Sequence, residues 1–414
     1  MNEIVKQLPK MMMGEELRKA LTVLPEYDEN IRKEDSATRL MALSDIYKIY
    51  LPSSMTMEIY GKVYLSMVRS LQKKNDRAAN IQRNENYKQI QNQSCRGIIG
   101  GSDSFTIIGN SGIGKSSALM GSIQAATEDV VLEVGKPYMK ILPCVICQCP
   151  HDCSVKGLLL EILRKVDEVL ESNYYEQALR FRSTIDMLIG CVSQVSLNHI
   201  GLLVVDEIQN VCGHRNGVNL VSMLTQLINN SGISICMVGT PESTKFFEKE
   251  MQLARRSLGL QYSELPYNQY FRELCETVFR YQYVRNQTEI SDVIIEWLYE
   301  HSSGLVSLVI SLLHDAQELA IISGEEILNL DTLEMAYQER LQMMHQYIQP
   351  SILTNQKTST TSKKKRSKKT VQKVALPEAK SEFNIYELAM RARKSGEDMV
   401  ELLREYVSVL EVEI

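Results

Sequence analysis

The 414-residue sequence contains a single tryptophan, only seven phenylalanines and no long uninterrupted run of apolar residues. A membrane-spanning helix requires about 18 apolar residues in a row, and the first fourteen residues lack the apolar stretch of a secretory signal. The net charge is only −5, so the molecule as a whole is not a polycation. We therefore expect a soluble, cytoplasmic protein that does not contact a membrane.

Nine cysteines are present, and without a secretory signal they are expected to be reduced thiols. Four of them, Cys144, Cys147, Cys149 and Cys153, lie close to His151. One interpretation of this cluster is a zinc site, and the other is a core strand over 141–148 followed by a loop. We favour the strand, because alternate side chains of a strand point to opposite faces and cannot chelate one ion.

The stretch GNSGIGKSS matches the phosphate-binding pattern G-x-x-x-x-G-K-[ST], and it follows the apolar run 105–108. A strand, a glycine-rich turn and a helix are the context in which this pattern binds a nucleotide. The glycines allow backbone N–H groups to converge on phosphates, while the lysine adds a charge and the next serine a Mg²⁺ ligand. The predicted nucleotide-binding residues are Gly109, Asn110, Ser111, Gly112, Ile113, Gly114, Lys115, Ser116 and Ser117.

A second apolar run, 201–205, ends in two carboxylates, Asp206 and Glu207. The run is too short for a helix, which favours a buried parallel strand. Asp206 is then expected to join Ser116 at the Mg²⁺ ion, and Glu207 to activate the attacking water. Paired acids at this position predict hydrolysis of the nucleotide.

Apolar strands alternate with helical patterns from Phe105 to about Thr240, which is typical of a parallel sheet with helices on both faces. The expected strands are 105–108, 141–148, 201–205 and 233–238. The expected helices are 116–126, 155–171, 174–196 and 218–230. The last strand leads to Thr240, which we expect to hydrogen-bond the attacking water or the γ-phosphate.

Two adjacent arginines, Arg255 and Arg256, follow this sheet. A guanidinium inserted into the phosphate pocket of a neighbouring subunit stabilises charge in the transition state. Because neighbouring positions on a helix point about 100° apart, only one of the two is expected to act in this way. The sequence does not decide between them, and an ordinary surface pair is the alternative.

The sequence predicts five regions. A helical N-terminal extension covers 1–100, an α/β nucleotide-binding domain 101–260, a helical lid 261–350, a basic disordered linker 351–380 and a helical partner-binding tail 381–414. In the extension, 72–93 is either a solvated helix or a tether. Residues 357–380 carry a net charge of +8, which leaves −13 for the rest of the chain, and such a composition favours disorder and attraction to phosphate backbones.

The phrases FTIIGNSGIGKSS, CPHDCSVKGL, IGLLVVDEIQNV, MVGTPES and ARRS resemble the TnsC/TniB group of AAA+ ATPases, which regulate heteromeric DNA transposons, some of them CRISPR-associated. The resemblance covers about residues 36–348. It implies an AAA+ fold, ATP and Mg²⁺, and a bacterial homo-oligomer, either a ring or a helical filament, around double-stranded DNA of any sequence.

The same resemblance implies the partners. The oligomer would link a target selector of the TniQ/TnsD type to a transposase of the TnsA/TnsB type, with ATP hydrolysis driving disassembly. Arg255 or Arg256 would act between subunits, Lys156 is the first candidate for a DNA contact, and the tail at 381–414 would bind the transposase.

One departure from the AAA+ pattern concerns the lid. Many AAA+ proteins place an arginine at the start of a lid helix, whereas 302–308 contains none, so a slow ATPase is expected. The alternatives are a replication initiator or helicase loader and a scaffold that holds ATP without hydrolysing it. A small-molecule kinase is disfavoured, because nothing after the sheet suggests an acceptor site.

Overall fold

The computed structural model describes residues 3–101, 104–134, 139–181, 183–212, 217–244 and 257–342. The chain separates into two compact units, Met1–Gln356 and Lys357–Ile414. The second unit contains most of the basic linker and the whole tail predicted from the sequence, and it lies outside the described residues. The architecture below is that of the first unit.

Within the described residues, six strands form one sheet in the order β2-β3-β4-β5-β1-β6. Their bounds are β1 Ser104–Gly109, β2 Leu132–Val134, β3 Met139–Gln148, β4 Ile200–Asp206, β5 Ser234–Gly239 and β6 Ser257–Tyr262. β1 pairs in parallel with β5 and β6, β4 pairs in parallel with β3 and β5, and β2 pairs antiparallel with β3. The carboxyl ends of β1, β4 and β5 therefore meet at one edge of the sheet.

Helices cover both faces of this sheet, as the alternation along β4 demonstrates. Leu203 and Val205 join the core formed with α6 (Val155–Leu170), α8 (Ile185–His199) and α9 (Gly217–Ser231). Leu202 and Val204 join the core on the opposite face, formed with α1 (Gly14–Leu21), α3 (Ser54–Lys73) and α5 (Lys115–Thr127). The continuous apolar run in the sequence is thus explained, since a strand covered on both faces needs apolar residues at every position.

The four predicted strands are present as β1, β3, β4 and β5, whereas β2 and β6 are absent from the prediction. β2 has only three residues, and β6 contains Gly259 and alternates weakly. The helix predicted over 174–196 is instead two helices, α7 (Tyr174–Arg180) and α8. The break occurs because the Thr184 hydroxyl accepts the Met187 N–H at 3.3 Å and so starts a new helix.

The N-terminal region packs into the rest of the unit. α3 shares its core with β1 and β4 through Tyr60, Val63, Met67 and Leu71. α2 (Ser36–Leu43) and the 3-10 helix Ser44–Lys48 place Leu43 and Ile46 in the core of the lid. The N-cap of α2 is Asp35, whose carboxylate accepts two backbone N–H groups.

The polar segment predicted as a solvated helix or a tether forms α4 (Arg77–Ile90), a helix that exposes one face to solvent and buries the other. Its buried face carries Gln82, Asn86 and Gln89. Asn86 Nδ2 donates to Asn230 O at 3.0 Å, and Gln82 Oε1 accepts the Ile98 N–H at 2.6 Å. The sequence does not predict this buried face, because amides that are buried and hydrogen-bonded to each other are the same residue types that occur on a solvated surface.

The lid consists of α10 (Gln269–Phe279), α11 (Asp292–Ser302), α12 (Val306–Ser323) and α13 (Leu330–Arg340). Asn329 and Thr332 form the capping box of α13. In the described residues α12 is the one helix long and apolar enough to cross a membrane, but Leu308, Leu312 and Ala316 bury it in the lid core. This makes it a core helix.

A buried ion pair joins the N-terminal region to the lid. The Arg39 side chain is fully buried, and its guanidinium contacts both oxygens of the Glu326 carboxylate at 2.6 Å. Arg39 also donates to Tyr283 O at 3.0 Å. The hydrogen bond from Arg39 is the largest cause that holds the pKa of Glu326 below its usual value.

Candidate active site

The phosphate-binding loop lies between β1 and α5, at the edge where the parallel strands end. Gly112 and Gly114 have φ angles of 86° and 91°, a region in which only glycine is unstrained. Gly109 does not share this conformation, contrary to the expectation for all three glycines. It is required for space, because a Cβ at 109 would lie 2.4 Å from Ile113 Cδ1 and 2.8 Å from Tyr262 O.

Lys115 begins α5 and folds back over the loop. Its Nζ donates to Gly109 O and to Asn110 O, each at 2.7 Å. Burial lowers the pKa of this ammonium, and the charges of Asp206 and Glu207 oppose the shift. The lysine is therefore close enough to both carboxylates to feel their field, as the sequence predicts for one site.

Asp206 and Glu207 lie at the carboxyl end of β4. Asp206 Oδ1 accepts the Glu207 N–H at 2.8 Å, and burial raises the pKa of the Asp206 carboxyl. Glu207 has a left-handed backbone with φ of 58°, which is uncommon for a residue with a side chain. The two carboxylates have different partners, since Asp206 accepts a backbone N–H and Glu207 accepts from the Gln209 amide, so they can serve different tasks.

Thr240 follows β5 and lies beside this turn. Its N–H donates to Gln209 Oε1 at 3.3 Å, while its hydroxyl is buried without a hydrogen-bond partner among the described residues. Gln209 Nε2 in turn donates to Glu207 Oε2. The sequence prediction includes Thr240 and Glu207 but misses Gln209, for which the sequence contains no signal beyond its place after the acid pair.

The lid contacts the loop directly. The Ser307 N–H in the first turn of α12 donates to Gly112 O at 3.1 Å. A Cβ at Gly112 would lie 2.4 Å from Ser307 Oγ. The segment 302–308 contains no arginine, and the start of α12 instead contacts the phosphate-binding loop through the backbone and side chain of Ser307.

These elements surround a cavity of about 690 Å³, which is within the range for small-molecule sites. We call one side the phosphate wall; it comprises 111–117 with Asp206, Glu207, Gln209, Gly239 and Thr240. The other side is the apolar wall, made of Leu21, Val23, Tyr47, Ile49, Tyr50, Leu51, Leu265, Tyr270, Leu274, Val306 and Ile310. Val23 and Tyr47 are about half exposed here, and none of the apolar wall belongs to the sequence prediction.

A nucleoside triphosphate and Mg²⁺ fit this combination of groups. Backbone N–H groups and Lys115 suit phosphate, and the Ser116 hydroxyl and Asp206 carboxylate are the hard oxygen ligands that Mg²⁺ takes. The Thr240 hydroxyl is a buried polar group without a partner among the residues that the structure describes, and such a group costs free energy until a ligand or water meets it.

The remaining predicted residues are placed as follows. Lys156 is exposed in the first turn of α6, apart from the cavity lining. Arg255 and Arg256 lie outside the described residues. Cys144 and Cys147 pack on opposite faces of β3, all nine cysteines are free thiols, and no cluster of three potential metal ligands of the histidine, cysteine or carboxylate type occurs in the described residues.

Comparison with known proteins gives one family. The family model for bacterial TniB protein matches residues 100–264. This segment is similar to the TniB family. It contains the phosphate-binding loop, the acid pair and Thr240, and the resemblance deduced from the sequence is confirmed. A search of curated proteins finds no match.

Among solved structures, the Aeropyrum pernix Orc1 protein in complex with DNA has a TM-score of 0.42 and 16 % identity over 63 % of this chain and 64 % of its own. The closed state of Hsp104 with ATPγS and FITC-casein has a TM-score of 0.34 and 15 % identity over 70 % of this chain and 46 % of its own. The chain therefore spans less than two thirds of either structure. The described fold, a mainly parallel sheet with helices on both faces, a phosphate-binding loop after β1 and a helical lid, is the one predicted from the sequence.

Proposed function

We propose that this protein is an ATP-dependent, DNA-binding AAA+ regulator of DNA transposition. The observation that carries the proposal is the convergence of the phosphate-binding loop, the acid pair and the Thr240 hydroxyl on one cavity, within a segment that matches the TniB family model. Within the described ranges this hydroxyl has no hydrogen-bond partner. ATP binding would assemble the oligomer on double-stranded DNA, and hydrolysis would dismantle it. The protein would act in the bacterial cytoplasm.

The residue roles follow from the chemistry of the site. Lys115 and the loop N–H groups would hold the β- and γ-phosphates. Ser116 and Asp206 would hold Mg²⁺, which supplies positive charge against the phosphate oxygens when bound. Glu207 would take the proton of the attacking water, and Thr240 would orient that water or the γ-phosphate. Arg255 or Arg256 would complete the pocket of the neighbouring subunit.

The partners belong to the proposal as well. Lys156 would contact the DNA backbone, with the basic linker 351–380 adding attraction that falls with salt. The assembled protein would connect a TniQ/TnsD-type target selector to a TnsA/TnsB-type transposase, the latter through 381–414. The family match and the exposed position of Lys156 support this assignment.

The test compares the full chain with two variants in the presence of ATP and duplex DNA of unrelated sequences. We expect electron micrographs to show rings or filaments for the wild type, no oligomers for Lys115→Ala, and oligomers that persist for Glu207→Gln, because only the second variant binds ATP without hydrolysing it. Lys19→Ala, on the exposed end of α1, is the matched control. Oligomers that form equally well without nucleotide would overturn the proposal.

A further inference from the structure

We propose that Gln209 is the positioning residue for Glu207, and that it ties this carboxylate to Thr240 at the end of β5. The inference rests on the proposed function, since it assigns Glu207 to the hydrolytic step. Gln209 lies outside the phosphate-binding loop, the acid pair and the arginine pair.

The amide of Gln209 is held at both ends. Its Oε1 accepts the Thr240 N–H at 3.3 Å, and its Nε2 donates to Glu207 Oε2. Because the backbone N–H of Thr240 can only donate, the oxygen of the amide must face it. The nitrogen must then face Glu207, so the polarity of the amide is fixed by the backbone of a neighbouring strand.

The surroundings leave the amide little freedom. Gln209 lies in the 3-10 helix Ile208–Val211, and its backbone oxygen accepts the Cys212 N–H at 2.8 Å. A Cβ at Gly239 would lie 2.9 Å from Gln209 Oε1 and 2.7 Å from Ile208 Cγ2. Gly239 therefore provides the space that the amide occupies, although its own φ is not positive.

Glu207 is held from the other side too. Its N–H donates to Asp206 Oδ1, and its O accepts the Asn210 N–H at 3.0 Å. These two bonds fix its left-handed backbone, while Gln209 fixes the carboxylate. With Oε2 held by the amide, Oε1 remains to accept a proton, and a displacement of about 1 Å in such a group can cost about 100-fold in rate.

The same amide connects Glu207 to the contents of the cavity. The Thr240 hydroxyl lacks a partner in the described part of the chain, and it belongs to the same residue as the N–H that Gln209 accepts. A ligand that engages this hydroxyl would move or fix Thr240, and the hydrogen bonds of Gln209 would transmit that change to the carboxylate. Gln209 would thus couple binding of the nucleotide to the orientation of Glu207, the general base.

The test uses Gln209→Met in the full chain, since methionine has a similar length but lacks the amide. ATP hydrolysis is measured in single turnover with duplex DNA, and affinity is measured with a fluorescent ATP analogue. We expect kcat to fall by about 30-fold, with affinity unchanged within about threefold, because positioning acts on the reaction step. Gly239→Ala, which crowds the same amide from behind, should also lower kcat more than affinity.

A double-mutant cycle separates positioning from a general structural role. In the Glu207→Gln background, whose residual rate is followed over hours, Gln209→Met should change the rate by less than about twofold, because its target is gone. Asn210→Ala is the matched control, since it removes a 2.9 Å bond from the same 3-10 helix to Cys149 O. It should leave kcat within about threefold of the wild type.

Three results would overturn the proposal: an unchanged kcat in Gln209→Met, an equal loss in the Glu207→Gln background, or a comparable loss in Asn210→Ala. Failure of the proposed function is distinguishable from these. In that case Glu207→Gln alone would retain full activity, whatever residue stands at 209.

Discussion

The two walls of the cavity are constructed differently. Most of the phosphate wall is one continuous stretch, 111–117, with Lys115 folded back onto its backbone, and the remaining residues come from the ends of β4 and β5 and the turn after β4. The apolar wall is assembled from the N-terminal region and the lid, as in the bond from Tyr270 Oη to Leu51 O, which spans 219 positions at 2.8 Å. One wall depends on local conformation, and the other depends on two distant regions meeting.

This difference has an energetic consequence. The conformation of the phosphate-binding loop is local, because Gly112 and Gly114 adopt positive φ angles without the strain that a side chain would add. The apolar wall exists only if the N-terminal region and the lid are joined, which requires the shared core of Leu43, Ile46 and Ile49 with Phe271 and Leu312, together with the Arg39–Glu326 pair. Changes to the two walls should therefore separate ligand affinity from stability.

The largest effect is expected from Arg39→Met. This change leaves the Glu326 carboxylate 3.8 Å from the Arg285 guanidinium, and without the close contacts to Arg39. Loss of one partner from a buried pair costs about 3–5 kcal/mol, and the partial exposure of Glu326 places the expected loss near 3 kcal/mol. The free energy of unfolding in urea measures it, and Arg180→Met, on an exposed pair with Glu176, should cost less than about 1 kcal/mol.

The Arg39–Glu326 pair also makes the stability of the protein depend on pH. Arg39 lowers the pKa of Glu326, so the contribution to stability is complete above the unfolded pKa of about 4.3. It is lost as the pH falls through the lower, folded pKa. The difference in free energy of unfolding between the wild type and Arg39→Met should therefore become smaller below about pH 4. A constant difference in this free energy down to pH 3 would contradict the role of the ion pair.

The phosphate wall was accessible to sequence analysis because its chemistry is contiguous. The glycines, the lysine and the serine of the loop all lie within 109–117. β4 is recognisable in the sequence as an apolar run that ends in Asp206. The apolar wall has no such signature: Ile49 and Leu274 look like ordinary core residues until they are brought together. The sequence analysis also missed the role of Gln209 and the buried amides of α4. The reason is related, since the sequence does not reveal which polar side chains become buried.

Gly112→Ala tests the phosphate wall and should have the second largest effect. Alanine is strained at a φ of 86°, and its Cβ would press against Ser307 Oγ. We expect affinity for ATP to fall by about 30-fold, equivalent to about 2 kcal/mol. Binding of inorganic triphosphate should fall by the same factor, because the loop contacts only phosphates.

Gly61→Ala is the matched control for this change. Gly61 lies within α3, and a Cβ there would meet only Met11 Cε at 4.0 Å. The control should bind both ligands as the wild type does and should gain stability of about 0.5–1 kcal/mol. A loss confined to ATP in Gly112→Ala would mean that the loop also shapes the apolar wall.

The smallest effect is expected from Ile310→Ala, and it gives the sharpest contrast between the walls. Ile310 is half-buried on the cavity side of α12, where it would contact the adenosine portion of ATP. Removing its outer carbons should weaken ATP binding by about fivefold to tenfold, or about 1 kcal/mol. Binding of inorganic triphosphate should not change, because that ligand has no apolar portion. Ile322→Ala, on an exposed position of the same helix, should alter neither affinity. An equal loss for both ligands in Ile310→Ala would instead show that the lid acts through the position of Ser307 against the loop, and the two walls would then have to be treated as one structure.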